Sequence, residues 1–410
     1  MSDSQPVRKP RIYYVDKLRL FLTAIVVVHH CFWVVAAGWF PFYRPWEIDT
    51  PTRVISFIVL TADQAYFMGL FFFLSGLVTV PSLRRKGAFQ FLKDRLVRLV
   101  IPAVLYDLIL FPLLFCFLQA AWYQPVWESK SPYDAIAYAV SYASFGDVWS
   151  IYYKYILPEL IFIGNHMWFT ITLFALNVLA VLLITIIKPL NVKLLETTLP
   201  TQESIQMPLK NMVKLLHIFA FILFVVNFLL RLACIPDYIW YPVIGNVGFI
   251  GQYVVAFTAG ILASHHKFLD HVQQSHLKFS LIHSFVFFNL AQIFQTYAPG
   301  PIKASIGDYG HMILATLFEQ YFALFWSYAL LVIFKTYFNG EPSKRVSYFI
   351  GAAYSTYIIH QWVVIPIAVG FAYLTLHPLL VIFLLCLTAN PSSWICGILL
   401  KMIPGSDIIL

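Results

Sequence analysis

The sequence predicts an all-α, polytopic integral membrane protein of about ten transmembrane helices, with both termini cytoplasmic. Three observations carry this expectation. First, 60% of the 410 residues are hydrophobic and only 11% are charged, whereas a soluble domain carries about a quarter charged residues. Second, ten segments approach the roughly 20 apolar residues that cross a hydrocarbon core. Third, the basic residues collect in alternate connections between those segments, as the positive-inside bias requires.

The polar segment 1–17 contains Arg8, Lys9, Arg11 and Lys17. The apolar run behind it continues to Trp39 without a small-residue cleavage pattern, so it reads as a retained first helix rather than a signal peptide. The expected spans cover roughly 18–39, 54–80, 97–121, 165–187 and 214–234, then 246–263, 279–298, 311–334, 352–375 and 378–400. The stretch 123–163 is rich in Tyr and Trp and interrupted by charges and Pro, which suits an external loop with interfacial helices. A single membrane domain over 18–400 and a short tail, 401–410, complete the expected organisation.

With the N-terminus inside, 21 of the 27 Lys and Arg fall in inner segments. The outer six are Arg44, Arg53, Lys130, Lys154, Arg231 and Lys303. One missed or extra span would destroy this asymmetry, so it supports the count as well as the orientation. It also explains the net charge of +8 without nucleic acid as a partner; membrane lipid is the expected surroundings. The five cysteines, including Cys31 and Cys386, sit in or beside apolar stretches with no disulfide or metal-ligand spacing and read as packing residues. His265, His266, His271 and His276 lie in a polar connection without Cys or acidic partners at fixed spacing, so no metal is expected.

Asp16, Arg19 and His30 form the most informative set. At about 100° per residue, Arg19 and His30 differ by about 20° after whole turns, and Asp16 lies about 40° from His30, so the three share one helix face. The rise from Arg19 to His30 is about 16 Å, which carries His30 deep into a core about 30 Å thick. An ionisable group at such depth faces protein or a water-filled path. There a histidine either bridges helices by hydrogen bonds or, as neutral imidazole, takes a proton as general base. His29 points about 100° away and suits the structural role.

Four ordered motifs resemble the acyltransferase 3 family. The first is RIYYVDKLRLFLTAIVVVHH, with Arg19 and His30 at the ends of an Arg, ten residues, His pattern. The second is FFFLSG running into VPSLRRKGAFQFLKDRLVRLVIP, whose R-x-x-R positions are Arg95 and Arg98. The third is GNHMWF at 164–169, similar to a G-H-x-W-F element but with Asn165 inserted, so Trp168 and Phe169 are the firmer matches. The fourth is YSTYIIHQ, ending in His360 and Gln361.

The resemblance implies acyl transfer from an acyl-CoA, often acetyl-CoA, to a hydroxyl of a sugar, glycan or lipid-linked acceptor. Coenzyme A carries several negative charges and is cytosolic, so it should meet the inner face. Arg84, Arg85, Lys86, Lys93, Arg95 and Arg98 gather there. Arg95 and Arg98 are three apart, hence helix neighbours, and guanidinium groups suit bidentate phosphate contacts. The alternative for Arg84 and Arg85 is an ordinary positive-inside loop. Arg19 is open to two roles, binding phosphate or pairing with Asp16.

On this reading His30 is the base. Ser75 and Gly76, Trp168 or His360 would supply oxyanion donors, a choice the sequence leaves open, and Gln361 would contact substrate. Glu319, an acid isolated in an aromatic run, would orient His30 or bind acceptor hydroxyls; its structural alternative is an interhelical hydrogen bond. A competing reading is a transporter or exporter of a polyol or glycan. It has no need of a phosphate cradle beside a buried base.

Overall fold

A computed structural model describes residues 12–37, 46–114, 167–187, 194, 206–233, 240–241, 245–297 and 301–409. Among the described residues the architecture is all-α apart from one two-residue antiparallel ladder pairing Trp240–Tyr241 with Gly245–Asn246. The helices are α1 (Tyr13–Phe32), α2 (Thr50–Lys86), α3 (Ala88–Arg95), α4 (Ile101–Leu105), α5 (Trp168–Ile186) and α6 (Leu209–Ala233). They continue with α7 (Val247–His265), α8 (Leu277–Gln292), α9 (Pro301–Tyr337), α10 (Lys344–Ala372), α11 (Pro378–Lys401) and the short α12 (Ser406–Ile409).

Among the described residues, nine helical stretches are long and apolar enough to cross a membrane. The tenth expected span, 246–263, is also helical, as α7 (Val247–His265). The protein is therefore an integral, multi-pass membrane protein. The predicted external stretch 123–163 lies outside the described residues.

Local chemistry accounts for the helix limits. Asp49 caps α2, its carboxylate accepting from the Thr52 backbone N–H at 3.3 Å. Gly87, at φ +74°, ends it. Ser343 caps α10 through the Val346 N–H at 3.4 Å. Gly307, at φ +72°, breaks α9 near its start.

Helix α1 is central, packing on α2, α9, α10 and α11. Helix α2 lies between α1 and α7. The α2–α7 crossing brings backbone against backbone: a Cβ on Gly76 would stand 2.2 Å from the Phe257 carbonyl oxygen, and one on Gly260 would stand 2.1 Å from that of Phe73. Apolar side chains gain little from leaving lipid, so close approach through small residues supplies the van der Waals contact that holds membrane helices together. Gly69 meets Gln252 and Gly76 meets Gly260. The contacts advance together along both helices, so α2 and α7 run parallel. Lys86 and His265 therefore lie at the same end of the bundle.

Candidate active site

The site is built on α1, α10 and the helical run from Ala88 to Leu114. Nδ1 of His360 lies 2.6 Å from the Tyr357 carbonyl oxygen. A carbonyl can only accept, so Nδ1 of His360 carries the proton and its Nε2, in neutral imidazole, is an acceptor. That Nε2 lies 3.3 Å from Nδ1 of His30. Nδ1 of His30 also lies 2.8 Å from the Val26 carbonyl oxygen and must donate to it. Two carbonyls thus fix both tautomers and leave Nε2 of His30 as its basic nitrogen. The two rings meet edge to face, with centroids 4.7 Å apart. His360 is fully buried, whereas His30 keeps some accessible surface.

Beside them, the Tyr106 hydroxyl donates to Oε1 of Gln361 at 3.5 Å. Nε2 of Gln361 is buried and makes no hydrogen bond, so an amide donor stands one residue from His360.

Helix α10 also reaches the basic segment. The Tyr354 hydroxyl donates to the Arg98 carbonyl oxygen at 2.6 Å, and Trp362 Nε1 donates to the Leu110 carbonyl oxygen at 3.0 Å. Tyr354 and His360 are six residues apart, about 9 Å along the axis. The imidazole pair and the Arg98 backbone therefore sit at neighbouring levels of one helix.

The expected pairing of Arg95 with Arg98 on one face requires correction. Residues Leu96–Val100 form a π turn, as do Tyr106–Leu110. The wider turn breaks the three-residue register of an α-helix. Arg95 is half-buried over the Phe91 ring, 5.1 Å from its centroid, and Arg98 is exposed. Arg95 is nonetheless within electrostatic range of both Arg98 and Arg19. Arg19 Nη2 donates to the Leu74 carbonyl oxygen at 2.9 Å, and its Nη1 stands 3.9 Å from the Asp16 carboxylate. Of the two roles read from sequence for Arg19, the pairing with Asp16 has a geometric counterpart, at 3.9 Å. Ser75 follows the carbonyl that anchors Arg19 and is half-buried. Arg84 donates to the Leu194 carbonyl oxygen, and Arg85 is exposed.

Glu319 is not brought to His30. Arg231 grips it with two bonds, Nη2 to Oε1 at 2.8 Å and Nη1 to Oε2 at 3.1 Å. Gln295 and Gln320 donate to it at 2.9 and 3.1 Å. Arg231, counted from sequence among the outer connections, lies in the last turn of α6 with its side chain 18% exposed. Its partners satisfy a buried charge by spanning α6, α7 and α9 through Thr316 and the Gly248 carbonyl oxygen.

Trp168 opens α5 and stacks on Tyr253 at 5.3 Å. Phe169 meets Tyr357 at 6.0 Å, and Tyr357 meets His360 at 5.9 Å, which joins this motif to the imidazoles through aromatic contacts. The neighbouring 164–166 lie outside the described residues. His29 is buried 3.7 Å from the Asp63 carboxylate, a pairing of α1 with α2 that sequence reading missed.

These features define a membrane protein with a histidine-centred site beside a basic segment. The family model for an acyltransferase domain matches residues 12–398, and the chain belongs to the acyltransferase 3 family. It is thus a membrane acyltransferase, which implies an acyl donor and an acceptor as its substrates. No curated protein and no solved structure matches it significantly.

Proposed function

We propose that the protein moves an acyl group, acetyl foremost, from cytosolic acyl-CoA to a hydroxyl of a carbohydrate, glycan or lipid-linked acceptor. His30 is the general base. The observation that supports this most is the arrangement along α10, with the His30–His360 contact at 3.3 Å and the Arg98 tether at Tyr354. Coenzyme A holds its phosphates away from its thioester on a long pantetheine arm. A phosphate site near, but not at, the base is what such a donor needs.

The bundle end bearing Arg84–Arg98 faces the cytosol in this reading. Arg95, Arg98 and Arg19 bind the phosphates, and Arg84 and Arg85 add to the local positive potential. Like charges gathered at a membrane-embedded surface repel, and an anionic ligand offsets that cost.

The acceptor hydroxyl attacks the thioester carbon as Nε2 of His30 takes its proton. A C–O bond forms and the carbonyl electron pair moves to oxygen. Gln361 Nε2, a buried donor with no bond of its own, stabilises that oxyanion. Collapse of the intermediate breaks the C–S bond. The thiolate leaves and recovers the proton from His30. His360 steadies the transient imidazolium by accepting from its Nδ1–H, a bond strengthened by the charge. Asp16 positions Arg19, and Ser75 and Trp168 contact the substrates. No metal takes part in these steps.

The test is purified protein in liposomes with radiolabelled acetyl-CoA and a panel of sugars and glycolipids. Mass spectrometry of glycans, lipids and metabolites from cells with and without the gene identifies the acceptor. Label should appear on an acceptor hydroxyl as ester. Absence of both coenzyme A binding and transfer across the panel rejects the proposal.

A further inference from the structure

A cavity of about 530 Å³ lies between α2, α6, α7 and α9, away from the imidazole pair. Its walls are mainly apolar, with Phe73, Leu216, Phe219, Ala256, Ala259 and Leu324 among them. It extends along α7 from Gln252 to His266, about 21 Å of helix, so it is long and narrow. It is open to its surroundings along part of its length, so a molecule can enter it from outside.

Its two ends differ from its middle. Gln252 and His271 both line the cavity. The buried polar atoms Gln252 Oε1 and His271 Nδ1 make no hydrogen bond. Buried polar atoms are rarely left so, and each such case asks for a ligand or water partner. Gln252 marks the inner end. His271, with exposed His266, marks the mouth, at the bundle end shared with Lys86.

The mouth is firmly built. Lys335 Nζ donates to the carbonyls of Leu269 and Val272. Tyr328, itself on the cavity wall, bonds through its hydroxyl to His276 Nδ1 at 2.6 Å. The loop that carries His271 is thereby pinned to α9.

We infer that this cavity is a second ligand site, holding the acyl chain of a bilayer phospholipid with its headgroup at His266 and His271. The chain lies in the apolar stretch and stops short of Gln252. The source is the bilayer because the cavity sits within membrane-spanning helices and its wall residue Leu262 is still 40% exposed. The inference is independent of the acyl-transfer reading.

The experiment uses the full chain in nanodiscs containing a phospholipid with a diazirine in its acyl chain. After irradiation, labelled peptides are mapped by mass spectrometry. Label is expected on cavity residues such as Ala256, Ala259 and Leu324, at least fivefold above lipid-facing Phe221 and Phe285. Ala259→Trp, which fills the cavity, should lower cavity labelling at least fivefold while leaving Phe221 and Phe285 labelled as before. Label confined to Phe221, Phe285 and similar outer positions in the unaltered chain overturns the inference. So does loss of the cavity label on adding palmitoyl-CoA but not on adding unlabelled phospholipid, since the site would then belong to a donor chain. The unaltered chain carries the decisive reading even if Ala259→Trp fails to fold.

Discussion

The Nδ1–H of His30, directed to the Val26 carbonyl oxygen at 2.8 Å, is shared with Nε2 of His360 at 3.3 Å, joining two helices 330 residues apart in sequence. In the proposed mechanism this contact makes His360 the residue that positions the base. His360→Ala should lower the transfer rate at saturating acyl-CoA about tenfold to hundredfold. His360→Gln keeps an acceptor oxygen near the position of Nε2 and should recover much of that loss. Rate constants for the two variants, at unchanged coenzyme A affinity, check this; equal losses would make His360 a packing residue only.

Arg95→Ala and Arg98→Ala should each weaken coenzyme A binding about tenfold to hundredfold, the worth of a charge-assisted hydrogen bond. Exposed Arg98 should also show steeper loss of affinity with added salt than half-buried Arg95. Equilibrium titration at two ionic strengths reads both effects. Unchanged affinity in both variants would leave these residues a role in topology alone.

The Arg231–Glu319 pair predicts a stability effect separable from catalysis. Removing one partner strands a charge whose side chain is 18% or 6% exposed, at a cost of about 3–5 kcal/mol. Arg231→Ala and Glu319→Ala should each lower the Tm, and the double replacement should cost less than their sum. Coenzyme A affinity of the folded fraction should stay as it was. A selective loss of turnover in well-folded Glu319→Gln would instead return Glu319 to the reaction.

Gly76→Ala should destabilise the α2–α7 crossing, because the new methyl has only 2.2 Å to the Phe257 carbonyl oxygen. Gly370→Ala, also within a helix but with nothing within 4 Å of the added carbon, should be neutral or stabilise by up to about 1 kcal/mol. Thermal unfolding in detergent distinguishes the two.

Much of this was legible in the sequence, and the parts that were not share a cause. Hydropathy located the spans because a bilayer imposes their length. The face shared by Arg19 and His30 follows from helical geometry alone. Periodicity names a face but not the partner that meets it, so the contacts of His30 with His360 and Glu319 with Arg231 needed the folded chain. The π turns at Leu96–Val100 and Tyr106–Leu110 broke the three-residue rule used for Arg95 and Arg98. Nothing in local propensity announced them. Small residues on α2 and α7 were visible, but which glycines cross depends on the register of two helices far apart in sequence.

The most direct test compares His30→Ala with the unaltered protein in liposomes, measuring acyl transfer from saturating acetyl-CoA alongside coenzyme A affinity. The account predicts at least a hundredfold loss of transfer, the usual range for a missing general base, with affinity within about threefold of the original. Transfer at the original rate by folded His30→Ala would contradict it.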